Sequence, residues 1–241
     1  MIYTKIMTHI KRINEMSIPQ KEVDIIKNVV VDADGNYYDG VEINNKIWMT
    51  SNLQTTTYNN GKPIPKRDYF GLPMFDSTTE FGILYSFNID KGLLAPKGWH
   101  IPSLDEWADM LSFLANNERY NLTPENKHPF KSDIGRSIAS NDGWKKCLGR
   151  ASNGCVGNKT KLNNATGLNI VPCGYAYVNP MTGYTEFKYV KEDAYLWTST
   201  KVEQTNYCKD AYCISITYQN SIVFEQTMNI HNLCGIRCVK D

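Results

Sequence analysis

Apolar residues between Leu104 and Leu114 fall at helical spacing. Leu104, Trp107, Leu111 and Leu114 form one stripe. Ser103 and Glu106 stand three residues apart at its start, the capping-box arrangement in which hydroxyl and carboxylate each take an orphan backbone N–H. Pro102 keeps the entering chain out of the helix. The pattern predicts a helix from Ser103 to about Asn116. Near the end of the chain the period changes to two. Tyr212, Ile214, Ile216 and Tyr218 share one face, and Cys213, Ser215 and Thr217 the other. This predicts a hairpin of Ala211 to Tyr218 with Ile222 to Phe224, turning at Gln219-Asn220-Ser221.

Shorter β-prone runs occupy Asn28 to Val31, Tyr37-Tyr38, Lys46 to Met49, Ile83 to Phe87, Tyr175 to Val178, Tyr184 to Val190 and Ile236 to Val239. Asp34-Gly35 and Asn44-Asn45 read as tight hairpin turns. Residues 59–80, rich in Pro, Gly and Asn, read as loop, and a second, shorter helix is predicted from Lys131 to Ala139. Many short strands with two helices make an α+β pattern of short, mostly antiparallel sheets. Residues 1–27 read as a polar, partly helical arm and residues 28–241 as one domain.

Composition narrows the function. Among 241 residues the net charge is +1, with no long run of one sign. That argues against general nucleic-acid binding, which needs a basic face. No run approaches the ~20 apolar residues of a membrane span. Met1 to Gln20 contains Lys5, Lys11 and Arg12 but no apolar core of a secretion signal. Either a leader has been removed or the protein leaves the cell by another route. All seven cysteines follow residue 146, which suits loop-stapling disulfides in an oxidising compartment, and the odd count leaves one thiol over. Cys147 and Cys155 flank a Gly-rich loop and are a candidate staple; the connectivity stays open.

Several constellations invite chemistry. Asp32-Ala33-Asp34-Gly35-Asn36 has the carboxylate spacing of a calcium loop, but Ile43 stands where the closing carboxylate belongs, so the hairpin reading is preferred. No cofactor or metal site is expected. His100, next to a helix start, has no partner that would make it a general base, and is read as a packing residue. Trp48, Trp99, Trp107, Trp144 and Trp197 are read as core. Tyr207, Tyr212, Tyr218, Gln219, Asn220, Asn229, His231 and Asn232 form a late polar-aromatic set of the kind used in recognition surfaces: rigid rings with adaptable amides.

Gly98-Trp99-His100-Ile101-Pro102-Ser103 leading into Glu106-Trp107 is similar to the central signature of the Fibrobacter succinogenes major paralogous domain family. The likeness extends through Asp32-Ala33-Asp34-Gly35-Asn36-Tyr37, Ile47-Trp48-Met49, Tyr58-Asn59-Asn60-Gly61, Phe81-Gly82-Ile83, Gly167-Leu168, Trp197-Thr198-Ser199-Thr200 and the closing Gly235-Ile236-Arg237-Cys238-Val239. The resemblance implies a C-type-lectin-like fold, shared with formylglycine-generating enzymes, and an extracellular or cell-surface location. The expected function is non-enzymatic recognition of a protein or glycan receptor through the late Asn/Tyr-rich loops. The tripeptides by which calcium-dependent lectins of this fold hold sugars are missing from this sequence. Two alternatives remain. Cys208 and Cys213 resemble the paired cysteines of the copper-dependent formylglycine-generating oxidases, and soft thiolates suit copper(I). The chain would otherwise be a structural module of a fimbria or phage particle.

Overall fold

The computed structural model describes residues 23–71, 81–121, 128–130, 132–148, 154–179, 181–203 and 209–241. The chain enters with β1 (Ile25–Val31), β2 (Tyr37–Ile43) and β3 (Lys46–Met49), then β4 (Tyr69–Gly71) and β5 (Ile83–Ser86). A single turn, α1 (Lys91–Leu94), and β6 (Trp99–His100) lead to the main helix α2 (Leu104–Ala115), followed by another single turn, α3 (Gly135–Ile138). A 3₁₀ turn at Thr160–Leu162 precedes β7 (Tyr175–Val178), β8 (Thr185–Lys188), β9 (Asp193–Lys201), β10 (Asp210–Thr217), β11 (Val223–Asn229), β12 (Leu233–Cys234) and β13 (Val239–Lys240). The strands form three sheets, ordered β1-β2-β3-β13-β6, β11-β10-β9 and β4-β5-β12-β7-β8, and every ladder between them is antiparallel. The fold is therefore α+β with small antiparallel sheets. No described helix is long and apolar enough to cross a membrane.

Local chemistry explains the elements that sequence anticipated. Asn44 and Asn45 both take positive φ, 52° and 61°, and join β2 to β3 in a two-residue turn, which asparagine tolerates better than most residues. Ser103 caps α2: its hydroxyl accepts from the Glu106 N–H at 3.1 Å, and Glu106 Oε2 accepts from the Ser103 N–H at 2.9 Å. An N-cap of this kind contributes about 1 kcal/mol. β1 begins at Ile25, which pairs with Val41, so the strand starts ahead of Asn28.

Other elements differ from expectation. The second helix shrinks to the single turn of α3. Asn163 and Ser221 hydrogen-bond Arg136 there, so tertiary contacts rather than helical propensity hold it. Tyr69–Gly71, expected as loop, pairs with β5. Of the predicted closing strand Ile236 to Val239 only Val239 lies in a strand, β13, while β12 precedes it in a different sheet. The β10–β11 hairpin runs on to Asn229.

Two hydrophobic clusters fill the interior. Trp48, Trp107, Leu111, Ile138, Ile170, Ile214 and Ile216 belong to one. Met49, Leu53, Phe87, Trp99, Trp197, Cys213 and Ile236 belong to the other. β10 serves both, sending Ile214 and Ile216 to the first and Ala211 and Cys213 to the second. All five tryptophans are buried. Trp48 and Trp107 pack at 4.9 Å between ring centroids, tilted 55°, and Trp197 donates its indole N–H to the Tyr85 carbonyl at 2.8 Å.

Arg237 is fully buried where the clusters meet. Its guanidinium donates to the carbonyls of Met49 (2.9 Å), Leu168 (2.6 Å) and Asn169 (3.3 Å) and to Asn52 Oδ1 (2.9 Å). The acceptors are carbonyl and amide oxygens, without a carboxylate among them. Burial lowers its pKa to about 9, which leaves it charged at neutral pH.

Candidate functional site

The signature residues around α2 are used up in the scaffold. His100 Nδ1 lies 2.6 Å from Asp241 Oδ1 and Nε2 lies 2.9 Å from Glu106 Oε1, which also takes Lys46 Nζ at 2.6 Å. Burial opposes charge on His100, but the hydrogen bonds to Asp241 and Glu106 override it and raise the pKa. Burial likewise works against the Glu106 carboxylate, yet Lys46, the Ser103 N–H and His100 pull its pKa to about 2. A histidine with a raised folded pKa stabilises fully below its unfolded value of ~6.5, and the contribution is lost as pH rises through the folded value. The melting temperature of the wild type is therefore expected to fall on the alkaline side of that value, by a small amount because the group is partly exposed. His100→Gln is expected to flatten this segment of the profile; an unchanged profile would show that the ion cluster contributes nothing.

Asp32 is also occupied, accepting from the N–H groups of Asp34 (2.9 Å) and Asn36 (3.0 Å) and from the Tyr38 hydroxyl (2.5 Å). These are turn and core contacts. Among the described residues, no group of three or more His, Cys, Asp or Glu is arranged to hold a metal.

The late polar-aromatic set is divided by the β10–β11 hairpin. Asn229, His231 and Asn232 lie at one end, where Ile230 N–H meets the Lys209 carbonyl at 3.0 Å and Asn232 Oδ1 accepts from Val178 N–H at 3.4 Å. Asn232 is buried, whereas Asn229 and His231 are exposed. Tyr218, Gln219 and Asn220 lie in the turn at the other end, a strand length away. Tyr212 is half-buried in the middle of β10. Tyr207 and Cys208 fall outside the described residues. Cys213 is buried in β10, and burial raises its thiol pKa to about 12.

The structure adds partners to the Tyr218 end that sequence spacing did not reveal. Tyr218 N–H bonds to the Glu192 carbonyl at 2.9 Å, and Lys145 Nζ sits 5.2 Å over the Tyr218 ring while pairing with Glu192 at 2.8 Å. Behind Glu192 stand three tyrosines from separate segments. Tyr175 and Tyr195 meet edge-to-face at 5.2 Å and 77°. Tyr189 lies 6.1 Å from Tyr175 and 6.5 Å from Tyr195, tilted 40° and 39° to them. Together they make an aromatic corner in which Tyr195 is buried, Tyr175 half-buried and Tyr189 exposed. Tyr195 hydroxyl donates to Asp193 at 3.1 Å. Burial raises the Asp193 pKa, against the hydrogen bonds from Thr217 and Tyr195. Tyr189 is 52% exposed and holds φ of 56°, an unusual conformation for a bulky side chain. Two N–H groups, of Glu192 and Asp193, converge on its carbonyl at 2.9 and 2.8 Å and hold it there. A separate groove of about 290 Å³ between the β1–β2 hairpin and the end of α2 shares no residue with this corner.

Below the Tyr218 turn, Val156 N–H bonds to the Asn220 carbonyl and Gly157 N–H to the Tyr218 carbonyl, at 3.0 and 2.9 Å. The Cys155 thiol donates to the Gln219 carbonyl at 2.7 Å and is also hydrogen-bonded with Cys147. The described cysteines are free thiols.

The fold and this surface define an α+β domain whose signature residues build the scaffold and whose exposed aromatic groups lie on strands and turns at its edge. The chain belongs to the Fibrobacter succinogenes major domain family, whose model matches residues 41–240. No curated protein and no solved structure matches the chain.

Proposed function

We propose that this protein is a non-enzymatic recognition domain of C-type-lectin-like fold, displayed on the cell surface or secreted, that binds a protein or glycan receptor. One observation carries the reading. The Tyr218 turn and the tyrosine corner carry the exposed Gln219 amide, the half-buried ring of Tyr218 and the exposed ring of Tyr189 on a backbone fixed by hydrogen bonds. Exposed aromatic surface with a polar rim marks interaction sites, and rigid rings bind at low entropic cost. Contact between the Cys147 and Cys155 thiols supports residence in an oxidising compartment, where the pair would close to a disulfide.

The test is an array of immobilised glycans and extracellular proteins, probed with the wild type and with a Tyr218→Ala, Gln219→Ala double variant. Saturable binding that the double variant loses is the expected result. Absence of binding to every surface, together with assembly of the protein into a stable multimer, would overturn the reading in favour of a structural module. Non-reducing mass spectrometry of protein held in oxidised glutathione is expected to find Cys147 joined to Cys155. Two freely alkylated thiols would remove that support.

A further inference from the structure

We propose that Tyr175, Tyr177 and Tyr189, backed by the buried Tyr195, form a sugar-binding subsite that accepts a neutral glycan, a deepening that rests on the recognition role above. Three independent observations converge on this corner. The first is shape. Tyr195 is buried and meets Tyr175 edge-to-face, so it backs the corner, while the half-buried Tyr175 and the 52% exposed Tyr189 present its solvent side. Tyr177 continues the row, because it lies two residues beyond Tyr175 on the same face of β7 and is 38% exposed. Electron-rich ring faces of this kind attract the weakly positive C–H face of a pyranose ring.

The second observation is charge. Around the corner Lys188 pairs with Glu186 at 2.6 Å and Lys145 with Glu192 at 2.8 Å, and Lys191, in the turn between Tyr189 and Asp193, is a third cation against the third carboxylate. The remaining carboxylate, Asp193, is half-buried and takes the Tyr195 hydroxyl. A rim so balanced has no net field to draw a phosphate, a sulfated chain or a basic peptide. It does offer paired donors and acceptors, which suit the adjacent hydroxyls of a sugar.

The third is strain. Tyr189 keeps its left-handed backbone although the position would favour glycine. The ring is 52% exposed, so it gains little from burial. A bulky residue held at a cost in an exposed place is the pattern of a ligand-binding group.

Because the aromatic row runs along β7, oligosaccharides should bind more tightly than single sugars. The probes are hexamers of β-1,4-glucose, α-1,4-glucose, β-1,4-mannose and β-1,4-xylose, titrated calorimetrically into the full chain. At least one is expected to bind, and Tyr189→Gly is expected to weaken it about tenfold or more. The same variant should keep or raise the melting temperature, since glycine relieves the strain; a merely structural tyrosine would lower it. Tyr37→Ala, on an exposed tyrosine of β2, should leave the affinity unchanged. The subsite is overturned if none of the hexamers binds up to about 10 mM, a level that detects affinities as weak as ~3 kcal/mol. It is equally overturned if one binds and Tyr189→Gly retains it. In either case, array binding by the wild type would leave the broader recognition role standing.

Discussion

Arg237→Leu is expected to lower the unfolding free energy by at least about 3 kcal/mol, the largest loss from any single polar side chain in the domain. The reason is the number of acceptors that depend on it. Met49, Leu168 and Asn169 carbonyls and the Asn52 amide oxygen all receive its N–H groups, and three of these bonds are fully buried. Each buried acceptor stripped of its donor costs about 1–3 kcal/mol. Relief from desolvating the guanidinium offsets part of the sum. Arg237→Lys should recover little, because a single ammonium, which reaches less far than a guanidinium, cannot serve oxygens on two separate segments at once. Since domains are stable by only about 5–15 kcal/mol, urea midpoints will resolve the effect easily. A loss below about 1 kcal/mol in Arg237→Leu would mean that the acceptors find water, and that the residue is not what joins the two cores.

The second large effect is expected at Gly174. A Cβ there would stand 2.2 Å from the Lys188 carbonyl oxygen, 2.8 Å from Val190 N and 3.0 Å from Tyr189 C, and the residue has φ of +61°. Every one of these neighbours is backbone, so none can swing aside. Gly174→Ala should therefore cost about 2–4 kcal/mol through overpacking and the left-handed conformation together. It should also push residues 188–190 outward and spoil the tyrosine corner. Gly183→Ala is the matched comparison. It has φ of +70° but open space around the missing Cβ, so only the conformational cost of about 1 kcal/mol is expected. Denaturant unfolding of the two variants separates the terms; equal losses would refute the steric argument.

The contrast between Arg237 and Ser103 shows where sequence reading succeeds. Ser103, Glu106 and the stripe from Leu104 to Leu114 interact within a few residues, so a helix and its cap follow from local spacing. The same holds for Asn44-Asn45, whose tolerance of positive φ makes the turn between β2 and β3. Arg237 was visible only as part of a closing motif. Its acceptors lie nearly 190 residues upstream and about 70 upstream, and no local pattern reveals them. The same closing motif misled the strand assignment. Ile236 to Val239 has β character, but only Val239 joins a strand; the carbonyls of Ile236 and Cys238 accept from the N–H groups of Leu53 and Met49, and Arg237 between them is buried.

The candidate site divides in the same manner. Tyr218, Gln219 and Asn220 were legible because a polar turn interrupts two alternating runs. Asn229, His231 and Asn232 were placed with them, although an extended hairpin carries the two groups apart; composition has no term for that distance. Tyr175, Tyr189 and Tyr195 escaped notice because each is an ordinary tyrosine in its own segment. They meet through the β7–β8 pairing, the bridge between Gly174 and Ala194, and the turn at Tyr189. Hydrophobic period, turn chemistry and capping act over a few residues, and they settled the α+β class, the main helix and most hairpins, while the family was legible from its motifs. Which rings share a surface, and which arginine holds two cores together, depends on contacts between segments far apart in the chain, and only the packed structure decided them.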